Sequence, residues 1–113
     1  MAEPRYGEVW MCDFSPTRGR EQAGRRPCLV VSDDRFNRSG AELALVVPIT
    51  SKSKGIPYHV EISPPEGGLT QRSFAKCEDL RSISHERFER YMGAVEDETL
   101  DSAKGRMRLL LRL

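Results

Sequence analysis

The chain has 113 residues, 31% of them charged, and a formal net charge of +1. Its length suggests one domain, 1–113, with a modest core, and near-neutrality excludes an argument for nucleic acid from global charge. No apolar run is long enough to span a bilayer, "MAEPRYGEVW" has no apolar signal core, and three cysteines without a C-x-x-C pair support neither a zinc ribbon nor a redox motif.

In chain order, "GEVWMCDF" (7–14) alternates and reads as a first strand. "PTRGREQAGRRPC" (16–28) is broken by Pro16, Gly19, Gly24 and Pro27, so it is a loop running into a second strand, "PCLVVSD" (27–33). Cys12 and Cys28 fall in these apolar runs and read as small buried hydrophobes in a reducing compartment, hence the cytoplasm. "DRFNRSG" (34–40) is a turn or short excursion, and "AELALVVPIT" (41–50) is a strand ending at or just after Pro48. A polar loop, "SKSKGIP" (51–57), precedes the half-exposed strand "YHVEIS" (58–63) and the turn cluster "PPEGGLTQ" (64–71). "SFAKCEDLRSI" (73–83) reads as one longer strand, Ser84 as the cap of a helical turn, and "YMGAV" (91–95) as a closing strand. The last segment sets Leu100, Ala103, Met107, Leu110 and Leu111 on one helical face, with acids leading and arginines trailing as the helix dipole favours. The expected fold is mainly β, a small curved antiparallel sheet or barrel with a C-terminal helix.

The arginine loop concentrates charge. Arg18, Arg20, Arg25 and Arg26 stand against one acid, Glu21. Arginine is planar, always charged and able to grip phosphate with two parallel hydrogen bonds. Scattered loop arginines are usually solvated surface. Arg26 differs because it immediately precedes Pro27 and a buried strand, which fixes its backbone. No Walker-type loop is present, so nucleotide hydrolysis is not suggested.

"GEVWMCDFSPTRGREQAGRRPCLVVS", "VVPITS", "PYHVEI" and "GLTQRSFAKCEDLRSI" resemble, in order, the motifs of the MazF/PemK family of toxins. The resemblance runs from about Gly7 to Ile83, and the terminal helix also fits. It implies a CcdB/PemK-type barrel related to SH3-like barrels. It also implies a cytoplasmic homodimer, cleavage of single-stranded RNA without metal or cofactor, and a cognate antitoxin that covers the RNA groove. Carried onto this chain, the family's functional arginine and hydroxyl fall on Arg26 and Thr50, and its first-loop carboxylate on Glu21. Two positions depart from the pattern. Asp79 stands where many members carry glutamine, and Lys76 where the residue is usually apolar.

In such a reaction the RNA 2′-hydroxyl attacks the adjacent phosphorus. Arg26 would stabilise charge on the nonbridging oxygens; its high pKa argues against a role as general base. Thr50 read alone is a β-branched strand residue bonding nearby backbone, and the resemblance adds a contact to the scissile phosphate. Ser51 is a weaker neighbour of the same kind. Glu21 has two readings, acceptor of the 2′-hydroxyl proton or ion-pair partner of an arginine. Gln22 either reads a base or bonds the loop backbone. Arg18, Arg20, Arg25, Lys52 and Lys54 would line the RNA path. His85 reads as solvent-facing and His59 as mainly structural, against a two-histidine mechanism. Other readings are a gyrase poison of the CcdB type, which would need no phosphate-reading loop, and a non-catalytic RNA-binding module.

Overall fold

The computed structural model describes residues 2–15 and 24–113. Among them the elements run β1 (Glu8–Asp13), β2 (Arg25–Val30), α1 (Asp34–Asn37), β3 (Leu43–Thr50), β4 (His59–Ile62), β5 (Ser73–Lys76), β6 (Arg81–Ser84), β7 (Phe88–Ala94) and α2 (Asp97–Leu111). The strands pair antiparallel in the order β4-β5-β3-β2-β1-β7, and β6 joins β3.

β3 organises the sheet. On one edge its residues Val46–Pro48 pair with β2. On the other edge Leu43–Val46 pair with β6, and Ile49 and Thr50 pair with β5. Pro48, which has no N–H to donate, falls where that second edge passes from one partner to the next, so the strand runs through it to Thr50. The expected single strand over 73–83 is correspondingly two. A turn of 3-10 helix, Cys77–Asp79, separates β5 from β6 and sends each to a different half of β3.

The continuous apolar runs of β2 and β3 follow from burial on both faces. Val9, Leu29, Val47 and Ile49 point into one core, shared with Val60 and Ile62 of β4, Ala75 of β5, and Leu100 and Ala103 of α2. Their strand neighbours Cys12, Cys28, Val30, Ala44 and Val46 point into a second core with Phe14, Ile83 and Phe88. Cys12 and Cys28 are fully buried, as their sequence context suggests. They are not separate thiols, however: diagonal neighbours across the β1–β2 pair, they are joined as a disulfide, which overturns the reducing-compartment reading drawn from them.

A turn between β4 and β5, Glu66–Gly68, reaches over to β7. Gly67 and Gly68 both have positive φ, at 68° and 70°. A Cβ on Gly68 would fall on the Met92 carbonyl, and one on Gly93 would fall on the Gly67 backbone. Only glycines permit this backbone-to-backbone approach. Glu66 of the same turn accepts a hydrogen bond from the Glu96 N–H at 3.0 Å, at the start of α2, and another from the Thr99 hydroxyl. One turn thus ties the β4–β5 end of the sheet to β7 and to the helix.

Helix α2 packs through Leu100, Ala103 and the half-buried Met107. Leu110 and Leu111, expected on the packed face, are 37% and 54% exposed, and Leu109 and Leu113 are more so. The apolar face continues past the end of the sheet that it covers. Ser84 caps a 3-10 turn, His85–Arg87, by accepting from the Glu86 N–H. His85 is not solvent-facing. It is half-buried, with Nε2 3.2 Å from the Leu43 carbonyl and its ring edge-on to Phe88.

Candidate functional site

The β2–β3 pair places two of the named residues at one place. The register Cys28↔Pro48, carried two residues further, sets Arg26 opposite Thr50. Both line a cavity of about 350 Å³, together with Arg25 and Ser51. The rest of its wall comes from the segment 68–71 and Ser73, and from Arg90 and Met92 of β7. The cavity therefore exists because the Glu66–Gly68 turn lies on β7.

Thr50 accepts a hydrogen bond from the Lys52 N–H at 3.2 Å. The backbone bond expected of a strand-end threonine is therefore made, and it uses the oxygen only. The hydroxyl proton stays available to a second acceptor, such as a phosphate oxygen. Lys52 and Lys54 are exposed on the following loop and lie outside the cavity wall.

The Arg25 Nε donates to both Glu89 oxygens, at 2.9 and 3.1 Å, across to β7. The hydrogen bond and the charge of Glu89, aided by Asp13, hold the Arg25 pKa above its ordinary value. The Asp13 carboxyl is lowered, chiefly by the hydrogen bond it accepts from the Ser15 N–H at 2.9 Å. Arg87 donates to the carbonyls of Asp13 and Ser15, fixing the chain as it leaves β1. Glu21, Gln22, Arg18 and Arg20 lie outside the described residues.

His59 is buried, and its Nε2 lies 2.9 Å from Glu78 Oε2, which fits the structural role expected of it. The two departures from the family pattern turn out to be one interaction. Lys76 Nζ is 3.0 Å from Asp79 Oδ2, three residues on, with both side chains largely covered. Cys77, between them, has its thiol pushed up to about 11 by burial. Among the described residues no three His, Cys, Asp or Glu side chains gather as a metal site would require. A hollow of about 400 Å³ lies at Pro4, Arg5, Arg38, Glu42 and His85, with acids and bases intermixed; it contains none of the catalytic or RNA-binding candidates drawn from sequence.

Sequence reasoning missed Arg90, Thr70 and Gln71. Nothing local marks them. They reach the cavity through the long-range approach of the Gly67–Gly68 turn to β7, and the paired glycines of "PPEGGLTQ" were the one available signal.

A curved antiparallel sheet, a C-terminal helix and an arginine-and-hydroxyl cavity at one end of it define a small toxin-like barrel. Residues 5–111 match the family described as PemK-like, MazF-like toxin of type II toxin-antitoxin system, and the chain belongs to it. It is 39% identical to endoribonuclease MazF9 of Mycobacterium tuberculosis, over 96% of this chain and 97% of that protein. It is 34% identical to the endoribonuclease toxin MazF of Escherichia coli K12, over 96% and 94%. Among solved structures, MazF of Deinococcus radiodurans superposes with a TM-score of 0.89 at 27% identity, over the whole of both chains. A MazE–MazF structure from the same organism gives 0.83 at 27% identity, over 100% of this chain and 99% of that one. Among the described residues no helix is long and apolar enough to cross a membrane.

Proposed function

We propose that this protein is an endoribonuclease toxin of a type II toxin–antitoxin system that cleaves single-stranded RNA. The observation that carries the reading is that Arg26 and Thr50, from two strands, line one cavity. The family and the endoribonuclease names of the relatives support it.

The substrate brings its own nucleophile. The 2′-oxygen bonds to phosphorus and the bond from phosphorus to the 5′-oxygen breaks. The products are a 2′,3′-cyclic phosphate and a 5′-hydroxyl. One proton leaves the 2′-oxygen and another reaches the 5′-oxygen, so no net proton or metal is required. Arg26 stabilises charge on the nonbridging oxygens, and the Thr50 hydroxyl donates its remaining proton to the same phosphate. Glu21 accepts the 2′-proton. Gln22, Arg18, Arg20, Arg25, Ser51, Lys52 and Lys54 contact the flanking RNA. The protein works in the cytoplasm, as a single domain and as a homodimer that enlarges the groove beyond what one small chain offers. A cognate antitoxin occupies that groove with acidic groups, a reading supported by a neighbour solved as MazE–MazF.

The test is incubation with a long unstructured RNA in EDTA, followed by mapping of new 5′ ends. Cuts at a recurring short motif, bearing 5′-hydroxyls, are expected. Cuts that vanish with EDTA and return with Mg²⁺ would contradict the metal-free route. RNA bound but intact would favour a binding module. Intact RNA with inhibited supercoiling by gyrase would favour the gyrase-poison reading.

A further inference from the structure

We propose that Arg90 is a substrate-positioning residue that holds a phosphate flanking the scissile one. The inference rests on the RNA-cleaving reading above and names a contact within that site.

Three observations lead to it. Arg90 lines the same cavity as Arg26 and Thr50, but from the opposite wall, on β7. The sheet register fixes the separation. Met11 of β1 pairs with Arg90 on one side and with Pro27, next to Arg26, on the other. Two strand spacings, about 10 Å, therefore divide the Arg90 backbone from that of β2. A phosphate seated between Arg26 and Thr50 lies toward β3, away from Arg90. A neighbouring phosphate on a strand crossing the cavity lies toward it.

The second observation is charge. Glu89, the preceding residue of β7, is bound by Arg25 across the sheet. Arg87, on the same side, is occupied by two backbone carbonyls. Among the described residues the Arg90 side chain makes no ion pair and no hydrogen bond, although it shares its cavity with Arg25 and Arg26. An anion beside the Arg90 guanidinium would supply the counter-charge that its own surroundings do not. The third is chemical match. The fork of a guanidinium suits phosphate oxygens, and Thr70 and Gln71 beside it add neutral polar groups.

A flanking phosphate changes little during the reaction, so a contact to it stabilises bound substrate and transition state alike. That contribution appears in KM and not in kcat. The experiment compares wild type, Arg90→Gln and Arg90→Lys. One arm is steady-state cleavage of a short RNA containing a mapped site. The other is binding of the same oligonucleotide with a 2′-deoxy sugar at the cut, over a salt series. Arg90→Gln should raise KM about three- to tenfold with kcat within about twofold. The slope of log K against log salt should become shallower by about 0.7, the value for one phosphate on a single strand. Arg90→Lys should keep the wild-type slope while losing part of the affinity. An unchanged KM and slope in Arg90→Gln would overturn the proposal, as would a fall in kcat alone. An unchanged RNA response with weakened antitoxin binding would overturn it too, and assign Arg90 to the protein partner. Wild-type protein that neither binds nor cleaves the RNA sinks the endoribonuclease reading itself, and is visible before any variant is made.

Discussion

The two ends of the sheet treat charge in opposite ways. Around β4, β5 and α2 several charges are paired: Glu61 with Arg72, Lys76 with Asp79, and Lys104 with Asp101. At the β2–β7 wall Glu89 serves Arg25, and Arg26 and Arg90 line the same cavity. Paired charges hold a surface together and give a polyanion little to grip. An excess of cations facing a cavity costs some stability through repulsion and is worth keeping only where a negative ligand arrives. At the first end the named charges serve one another, and at the second Arg90 faces the cavity with no acid bound to it among the described residues.

The sharpest way to break this comparison is to remove the cavity groups. Arg26→Ala and Thr50→Ala should each lower cleavage on the order of 10²–10³-fold, the cost of one donor to a developing oxyanion. Their melting temperatures should stay close to wild type, because neither side chain belongs to the two cores. Arg25→Ala, one residue earlier, should cost far less, since its guanidinium is already committed to Glu89. Cleavage rates with melting curves on the same samples check this. Equal losses for Arg25→Ala and Arg26→Ala would erase the distinction between an arginine held by Glu89 and one that contacts the scissile phosphate.

Local signals carried the strands and the placement of Arg26 at a strand entry, whereas Thr50 was singled out by the family resemblance; the fold sets both on one cavity. The helix period correctly gave Leu100 and Ala103, but a period defines a face and not the extent of the surface that covers it. Leu110 and Leu111 were misplaced for that reason. The break in 73–83 was not legible, since only pairing to different halves of β3 creates it. Arg90 and the segment 68–71 were hidden for the same cause. Their place in the cavity depends on contact between residues more than twenty apart in sequence. Lys76 and Asp79 were each visible as departures, but their spacing of three went unused as a sign that they compensate each other.

That compensation gives the next test, at the paired end. The Lys76 and Asp79 side chains are 14% and 26% exposed, between a surface bridge and a buried one. Lys76→Leu or Asp79→Gln alone should destabilise by about 1–2 kcal/mol, because each leaves a largely covered charge without this partner. The double variant should cost less than the two single effects added, with a coupling of at least about 0.5 kcal/mol. Denaturant titrations of the four proteins measure it. Strict additivity would mean that the two departures are independent, and that the contact contributes nothing to folding.

The smallest expected effect concerns the exposed pair Glu61–Arg72. Arg72 Nε is 2.8 Å from Glu61 Oε2, and its hydrogen bond, more than its charge, holds the Glu61 carboxyl below its ordinary value of 4.5. The guanidinium stays charged throughout any useful pH range, so only the carboxyl titrates. A depressed folded-state pKa means that the folded protein releases this proton more readily than the unfolded chain does. Its contribution is therefore complete above about pH 4.5 and is lost as pH falls through the lower folded-state value. Both groups are open to solvent, so the contribution is small and should shrink further in high salt. Thermal melts of wild type and Glu61→Gln between pH 6 and pH 3 isolate it from the other carboxyls, which titrate in both proteins. Wild type should melt slightly higher at pH 6, and the gap should close on acidification. A gap that stays constant across the range would show that Glu61 acts through packing or β-strand preference, and that pairing at this end of the sheet carries no electrostatic stability at this site.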